Sequence, residues 1–388
     1  MRLFGWGARG TARPALTRVR GGSPGATGAI GLLGGSEVDW PLGYEAQVRA
    51  AFLGNAVAQR AVRLIAEAAA GVPVDVTPEG GPAGALLRGA SNGQPLVETV
   101  AAQLLLHGNA FVQIVSDADG TPAELYALRP ERVTVEADPS GWPASYLYRV
   151  GEAGARIPAQ AADGKPALIH LRALHPLDDH YGLGCLGAAA GPVAIHNAAT
   201  RWNKALLDNA ARPSGALVYD PGEPGATLAA DQYDRLKAEM EASFSGSPNA
   251  GRPMLLEGGL KWQALSMSPA DMDFVGLKAA AARDIALAFG VPPMLLGLPG
   301  DSTYANYQEA NRALWRLTVL PLVGKIVGGL AEALRCWWPD LALVPDLDAV
   351  PALAADRERL WAMVSGADFL DPDEKRQMLG FAPREVAA

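Results

Sequence analysis

Six consecutive residues come closest to a cofactor signature. Gly182-Leu183-Gly184-Cys185-Leu186-Gly187 matches G-x-G-x-x-G, a spacing whose glycines let a helix N-terminus approach a pyrophosphate. That chemistry needs a strand directly before the motif, a βαβ unit around it and an acid about 20 residues further on. Here a polar loop precedes it, and the acid at that distance, Asp208, falls inside the helix the motif opens. His170, His175 and His180 recur every five residues beside Asp178 and Asp179. Such side chains hold transition metals, but this period fits neither one helix face nor one strand face, so a turn is the better reading. Asp301-Ser302-Thr303 offers hydroxyls without a partnered base. There is no G-x-x-x-x-G-K-[ST] loop, no C-x-x-C pair and no acidic cluster of the two-metal kind. The residues therefore predict no enzyme, no cofactor and no metal.

The elements that would have to position such residues look mechanical. Ser268 is placed to N-cap a helix, Pro269 sits at its first position and Asp271 at its third. The helix then runs through four alanines, Ala279 to Ala282, to Phe289: about 20 residues, or about 30 Å. Gly290 supplies a left-handed C′ residue, and Pro292 and Pro293 forbid continuation. A loop through Thr303-Tyr304-Ala305-Asn306 leads into another long helix that carries Pro321, which is expected to kink it. Lys325, Glu332 and Arg335 in that helix argue against a membrane span.

The chain has 388 residues, 49% hydrophobic and 19% charged, enough for two or three domains with sizeable cores. Its two cysteines, Cys185 and Cys336, make no disulfide framework. The net charge of −8 argues against a protein that grips nucleic acid tightly, although a conduit that must not stall its cargo is a different case. Residues 1–36 carry Arg2, Arg9, Arg13, Arg18 and Arg20 with no acid and no apolar run, and read as a flexible basic arm rather than a signal peptide. Order is expected from Trp40. An amphipathic helix is predicted over Glu45–Ala70 and another over Gln94–His107. Strands are predicted at Val72–Thr77, Phe111–Ser116, Arg132–Ala137, Ser145–Val150 and Ala167–Leu171. A long helix follows over Ala188–Ala210. Then come a strand (Gly215–Tyr219), a polar helix (Leu228–Phe244), a turn (Ser245–Gly251) and strands at Met254–Glu257 and Leu260–Leu265. Asp371-Pro372-Asp373-Glu374 opens a last helix.

Several phrases, in this order, resemble portal proteins of long-tailed double-stranded-DNA phages. His107-Gly108-Asn109-Ala110-Phe111 is similar to the family's G-N-A-Y phrase, and Leu125 to Pro130 to its L-x-P-L-x-P phrase with Ala127 in place of proline. His170-Leu171-Arg172 followed by Tyr181 to Gly184, Asn209 to Leu217, Phe289 to Gly297, Thr303 to Asn306 and Leu317 to Pro321 continue the series. The resemblance spans roughly Val57 to Pro383, and gene-transfer agents use the same kind of protein. It implies an α+β portal-type fold. In it, 1–36 would be the arm, 37–187 a wing, 188–213 and 268–296 stem helices, and 214–267 a clip between them. Residues 297–308 would form a tunnel loop, 309–345 a kinked helix returning to the wing, and 346–388 a helical crown.

The resemblance further implies a ring, a dodecamer, at one capsid vertex. Double-stranded DNA would pass through it without base readout, and its partners would be a terminase motor, the capsid protein and a head-tail adaptor. Asp301, Ser302, Thr303, Tyr304 and Asn306 would then face the lumen. A two-domain cytosolic enzyme, or a scaffold within the same particle, is the alternative. Rings with a central hole would separate the portal from the enzyme, and a scaffold would form rings without the long kinked helix.

Overall fold

The computed structural model describes residues 43–91, 93–208, 215–219, 229–244, 260–264, 274–298 and 304–380. In chain order the elements are α1 (Tyr44–Val48), α2 (Ala56–Ala70), β1 (Val74–Thr77), α3 (Pro82–Arg88), β2 (Ala90–Ser91), β3 (Gln94–Pro95), α4 (Leu96–His107), β4 (Asn109–Ser116) and β5 (Pro122–Leu128). Next are β6 (Val133–Ala137), β7 (Pro143–Val150), β8 (Ala153–Pro158), β9 (Leu168–Arg172), α5 (Leu186–Asp208), β10 (Gly215–Tyr219), α6 (Ala230–Phe244), β11 (Leu260–Ala264) and α7 (Phe274–Ala288). The last are α8 (Tyr304–Leu314), α9 (Leu320–Leu334), β12 (Ala342–Pro345), α10 (Ala354–Ser365) and α11 (Pro372–Met378). The chain divides into two compact units, one running to Ala190 and resuming at Ala286, the other Gly191–Ile285.

In the first unit, two antiparallel three-stranded sheets, ordered β5-β4-β9 and β6-β7-β8, share one core. Phe111, Leu128 and Leu168 come from the first sheet, and Val133, Val135, Tyr146 and Ile157 from the second. The alternation of Val133 and Val135 follows from the two-residue period of a strand. Beside the sheets, α2 packs on α4, and α4 packs on α9. Their buried faces are Ala58, Ala61, Val62 and Ile65 on α2, Leu96, Val100 and Leu104 on α4, and Val323, Ile326, Leu330 and Leu334 on α9. Each such large aliphatic side chain stabilises the fold by about 1.5–3 kcal/mol. The helical run Ala305–Leu334 is long and apolar enough to cross a membrane, but its apolar stripe is spent on α2, α4, β9 and β12 of the same unit.

The expected helix over Glu45–Ala70 is two helices. After α1 a π-helical turn, Arg49–Leu53, runs into Gly54, and Asn55 then caps α2. The Asn55 Oδ1 accepts the N–H groups of Val57 and Ala58, each at 3.1 Å, which satisfies donors a helix start leaves open. Apolar spacing carries across Gly54, so periodicity alone joins what the cap separates. At the other end of the unit, Glu374 Oε2 accepts the Asp371 N–H at 2.9 Å, as the capping pattern predicts.

In the second unit, β10 and β11 pair antiparallel from Gly215↔Ala264 to Tyr219↔Leu260. α5 and α7 bring Trp202 and Phe274 into a stack, 3.9 Å between ring centres. The polar helix α6 is exposed along Asp231–Arg235. The expected strand Met254–Glu257, the turn Ser245–Gly251, the Arg212-Pro213 stop, and the helix start at Ser268 and Pro269 lie outside the described residues.

Candidate functional site

The loop predicted to be functional hangs between the end of α7 and the start of α8. Its α7 side is built by two successive helix-end motifs of one kind. Gly290 (φ 69°) donates to Leu287 O at 2.9 Å, and Val291 donates back to Ala286 O at 2.9 Å. This is the Schellman arrangement, which closes orphan carbonyls and favours glycine at C′. Pro292 then starts a single 3-10 turn, Pro293–Leu296. Gly297 (φ 72°) repeats the motif, with Gly297 N–H on Met294 O and Leu298 N–H on Pro293 O. The phrase from Phe289 to Gly297 is thus a double full stop: two left-handed glycines with prolines between them.

The mounting for this segment is a second irregular helix turn. Trp315–Val319 is π-helical and joins α8 to α9. Pro321, without an N–H, needs no bond to a preceding carbonyl, and the π-helical turn ends two residues ahead of it. Thr318, inside the turn, donates its hydroxyl to Gly290 O at 2.7 Å. A Cβ on Gly290 would lie 3.0 Å from that hydroxyl. From the same turn Arg316 pairs with Asp356 of α10 at 2.5 Å, and Arg312 reaches the same carboxylate at 3.4 Å. One turn of helix therefore ties the end of α7 and α10 to the junction of α8 and α9.

Of the residues predicted to face a lumen, Asp301, Ser302 and Thr303 lie outside the described residues. Tyr304 is the first residue of α8, and Asn306 is exposed in its first turns, as are Tyr307, Gln308 and Glu309. Gly290, Pro292, Pro293 and Pro321 lie in the mounting. The sequence did not single out Thr318, Arg316 or Asp356. An arginine on the α8–α9 helix facing an acid of α10 carries no local signature.

A second constellation explains why three phrases, far apart in sequence, read as units. Asn109 is 1% exposed. Its Oδ1 accepts the Gly182 N–H at 2.7 Å and His170 Nε2–H at 3.0 Å. Its Nδ2 donates to Gly182 O at 3.1 Å, and to His107 Nδ1 and His107 O at 3.1 and 3.3 Å. Gly108, Gly182 and Gly184 bring backbones into direct contact around it. A Cβ on Gly184 would stand 2.5 Å from Leu106 O and 2.9 Å from Gly108 N, and one on Gly182 would overlap Gly108 O. The G-x-G-x-x-G match is therefore a packing device that seats a loop on the end of α4.

The histidines are structural as well. Burial pushes His107 down to about 4. Burial first, then the charges of Arg172, His107 and His180, push His170 down to about 3. His170 stacks on Phe111, 4.2 Å between ring centres, and His175 Nδ1 accepts the Leu177 N–H. Among the described residues no group of three or more His, Cys, Asp or Glu could hold a metal ion.

The sequence profile described as phage portal protein matches residues 56–380. The chain belongs to the phage portal protein family. The portal fold is borne out by solved relatives. A chain in the virion of a native gene transfer agent particle is 49% identical, with a TM-score of 0.69 over 88% of this chain and 94% of that one. A chain in the neck of a native gene transfer agent particle, computed with C12 symmetry, is 48% identical with the same TM-score and coverage. A protein of Rickettsia felis is 43% identical over 73% of this chain and 72% of its own length. The family expectation drawn from the ordered phrases thus holds, and the mixed helix-and-sheet class with it.

Proposed function

We propose that twelve copies of this chain close into a ring at one vertex of a phage-like particle of the gene transfer agent kind. The ring would be a conduit through which double-stranded DNA enters, is held and leaves. The observation that carries this reading is the 48% identical neck chain of C12 symmetry, of which this chain covers 94%. A ring of identical subunits needs a heterologous interface that closes on itself. The role is mechanical: the chain would bind DNA through backbone-level, sequence-independent contact. The capsid protein, a terminase motor and a head-tail adaptor are its partners in this reading. Residues 297–308 would form the inner lip, with Gly290, Gly297 and the Thr318 turn as its fixed base. The unit Gly191–Ile285 would supply stem and clip, and residues 346–388 the crown.

Imaging of purified full-length protein tests the assembly: twelvefold rings with an axial hole are expected. A uniform monomer or dimer at particle-like concentrations would count against it. For the lip, Thr303→Arg or Tyr304→Glu should leave rings intact but lower the DNA content of particles. Normal filling with both would refute the loop assignment.

A further inference from the structure

The first unit has an open groove of about 1060 Å³ between α1, α4 and the outer residues Tyr126 and Tyr148 of the sheets. One wall is Tyr44, Phe52 and Leu53, the floor is α4 with Gln103, and the far wall is Tyr126 with Arg132. Leu53 is 65% exposed there. Gln103 donates its Nε2–H to Leu128 O, but its buried Oε1 receives no hydrogen bond. A buried acceptor of that kind calls for a donor. Most charges at the rim are already matched: Arg49 with Glu45 at 2.6 Å, Arg63 with Glu67 at 2.8 Å and Arg129 with Glu131 at 3.7 Å. Arg132 makes no ion pair among the described residues. Glu98 stands in the first turn of α4, where the helix dipole favours it. The occupant should therefore be short, apolar and weakly acidic, with free backbone donors.

The residues that lead into this wall meet that description. Glu37-Val38-Asp39-Trp40-Pro41-Leu42 precedes Gly43 and Tyr44. A two-residue period puts Val38, Trp40 and Leu42 on one side and Glu37 and Asp39 on the other. Four residues reach at most about 14 Å, so Trp40 stays within reach of a groove whose edge is Tyr44. Tethering also gives the segment an effective concentration on the order of millimolar. The arginine-rich residues 1–36 offer no such match, because the groove's carboxylates other than Glu98 are already paired.

We propose that this groove seats residues 37–42 of the same chain. Trp40 and its apolar neighbours would fill it, a backbone N–H would satisfy Gln103, and an acid would face Arg132. The basic arm would then leave the ring from a fixed point on each subunit.

Full-length protein with Trp40→benzoylphenylalanine, assembled from mixed light and 15N-labelled copies, tests this by photo-crosslinking and mass spectrometry. Products joining position 40 to residues 96–107 or 122–132 of an equally labelled chain are expected. Mixed-label products would assign the groove to a neighbouring copy, and products elsewhere, or none, would overturn the proposal outright. Hydrogen exchange gives a second readout. Amides of residues 122–132 should exchange about tenfold faster in Trp40→Asp/Leu42→Asp than in the unaltered chain, and equal rates would overturn the assignment.

Discussion

Asn109→Ala is the sharpest test of how the first unit is held together. The side chain accepts from Gly182 N–H and His170 Nε2–H, and donates to Gly182 O and His107. Truncation takes a hydrogen bond from five polar atoms in a place where Asn109 itself is 1% exposed. Each orphaned buried group costs about 1–3 kcal/mol. A water in the vacated space would re-partner some of them. The net loss should be about 3–5 kcal/mol, a large part of the 5–15 kcal/mol that ordinarily keeps a domain folded. Calorimetry on the full chain should show the transition of the larger unit falling by about 10 °C, and that of Gly191–Ile285 unmoved. Hydrogen exchange should locate the loosening at residues 180–185. Thr99→Ala, which removes one exposed hydroxyl bond to Pro95 O, serves as control and should stay within about 0.5 kcal/mol. A loss for Asn109→Ala under about 1 kcal/mol would refute the idea that this amide joins the three segments.

Two further outcomes follow from the same geometry. His107 and His170 are held neutral, with folded values near 4 and 3 against about 6.5 in an unfolded chain. The unfolded state therefore binds protons first, and stability is lost as pH falls from about 6.5 towards 4, at about 1.4 kcal/mol per pH unit for each ring. His107→Gln should flatten that slope by about one such increment in denaturant titrations, and an unchanged slope would remove His107 from the account. Gly290→Ala should destabilise by about 1–2 kcal/mol, from its positive φ and the Thr318 hydroxyl 3.0 Å from the new methyl. Combined with Thr318→Ala it should cost less than the sum of the two single changes; strict additivity would show that the two residues do not press on each other.

What the sequence made legible was local chemistry. The Phe289–Gly297 stop, the Asp371 cap and the polar-apolar alternation of Val133–Ala137 are each decided by a few neighbouring residues. What stayed hidden depends on partners distant in sequence. β8 is exposed along most of its length, so it has no apolar alternation to betray it. β5 was visible only as the phrase Leu125 to Pro130. The break between α1 and α2 escaped because Val57 and Leu64 continue a periodicity that Asn55 interrupts. For the candidate site, the glycines of 182–184 were noticed and their cofactor reading set aside, but that they clasp Gly108 could not be read until β4 and β9 were paired. The mounting of the loop by Thr318 joins positions 28 residues apart, and no spacing rule links them.

The π-helical turn at Trp315–Val319 has a consequence for inheritance. Such a turn is an α-helix with one residue inserted. Losing a single residue there would restore regular winding and leave the flanking turns near their present bearing, because about five residues of the wide turn wind the chain as far as about four of an α-helix. A residue gained or lost in the regular turns of α8 would instead rotate its start by about 100°, so this wide turn is where the α8–α9 run can change length by one without re-aiming α8.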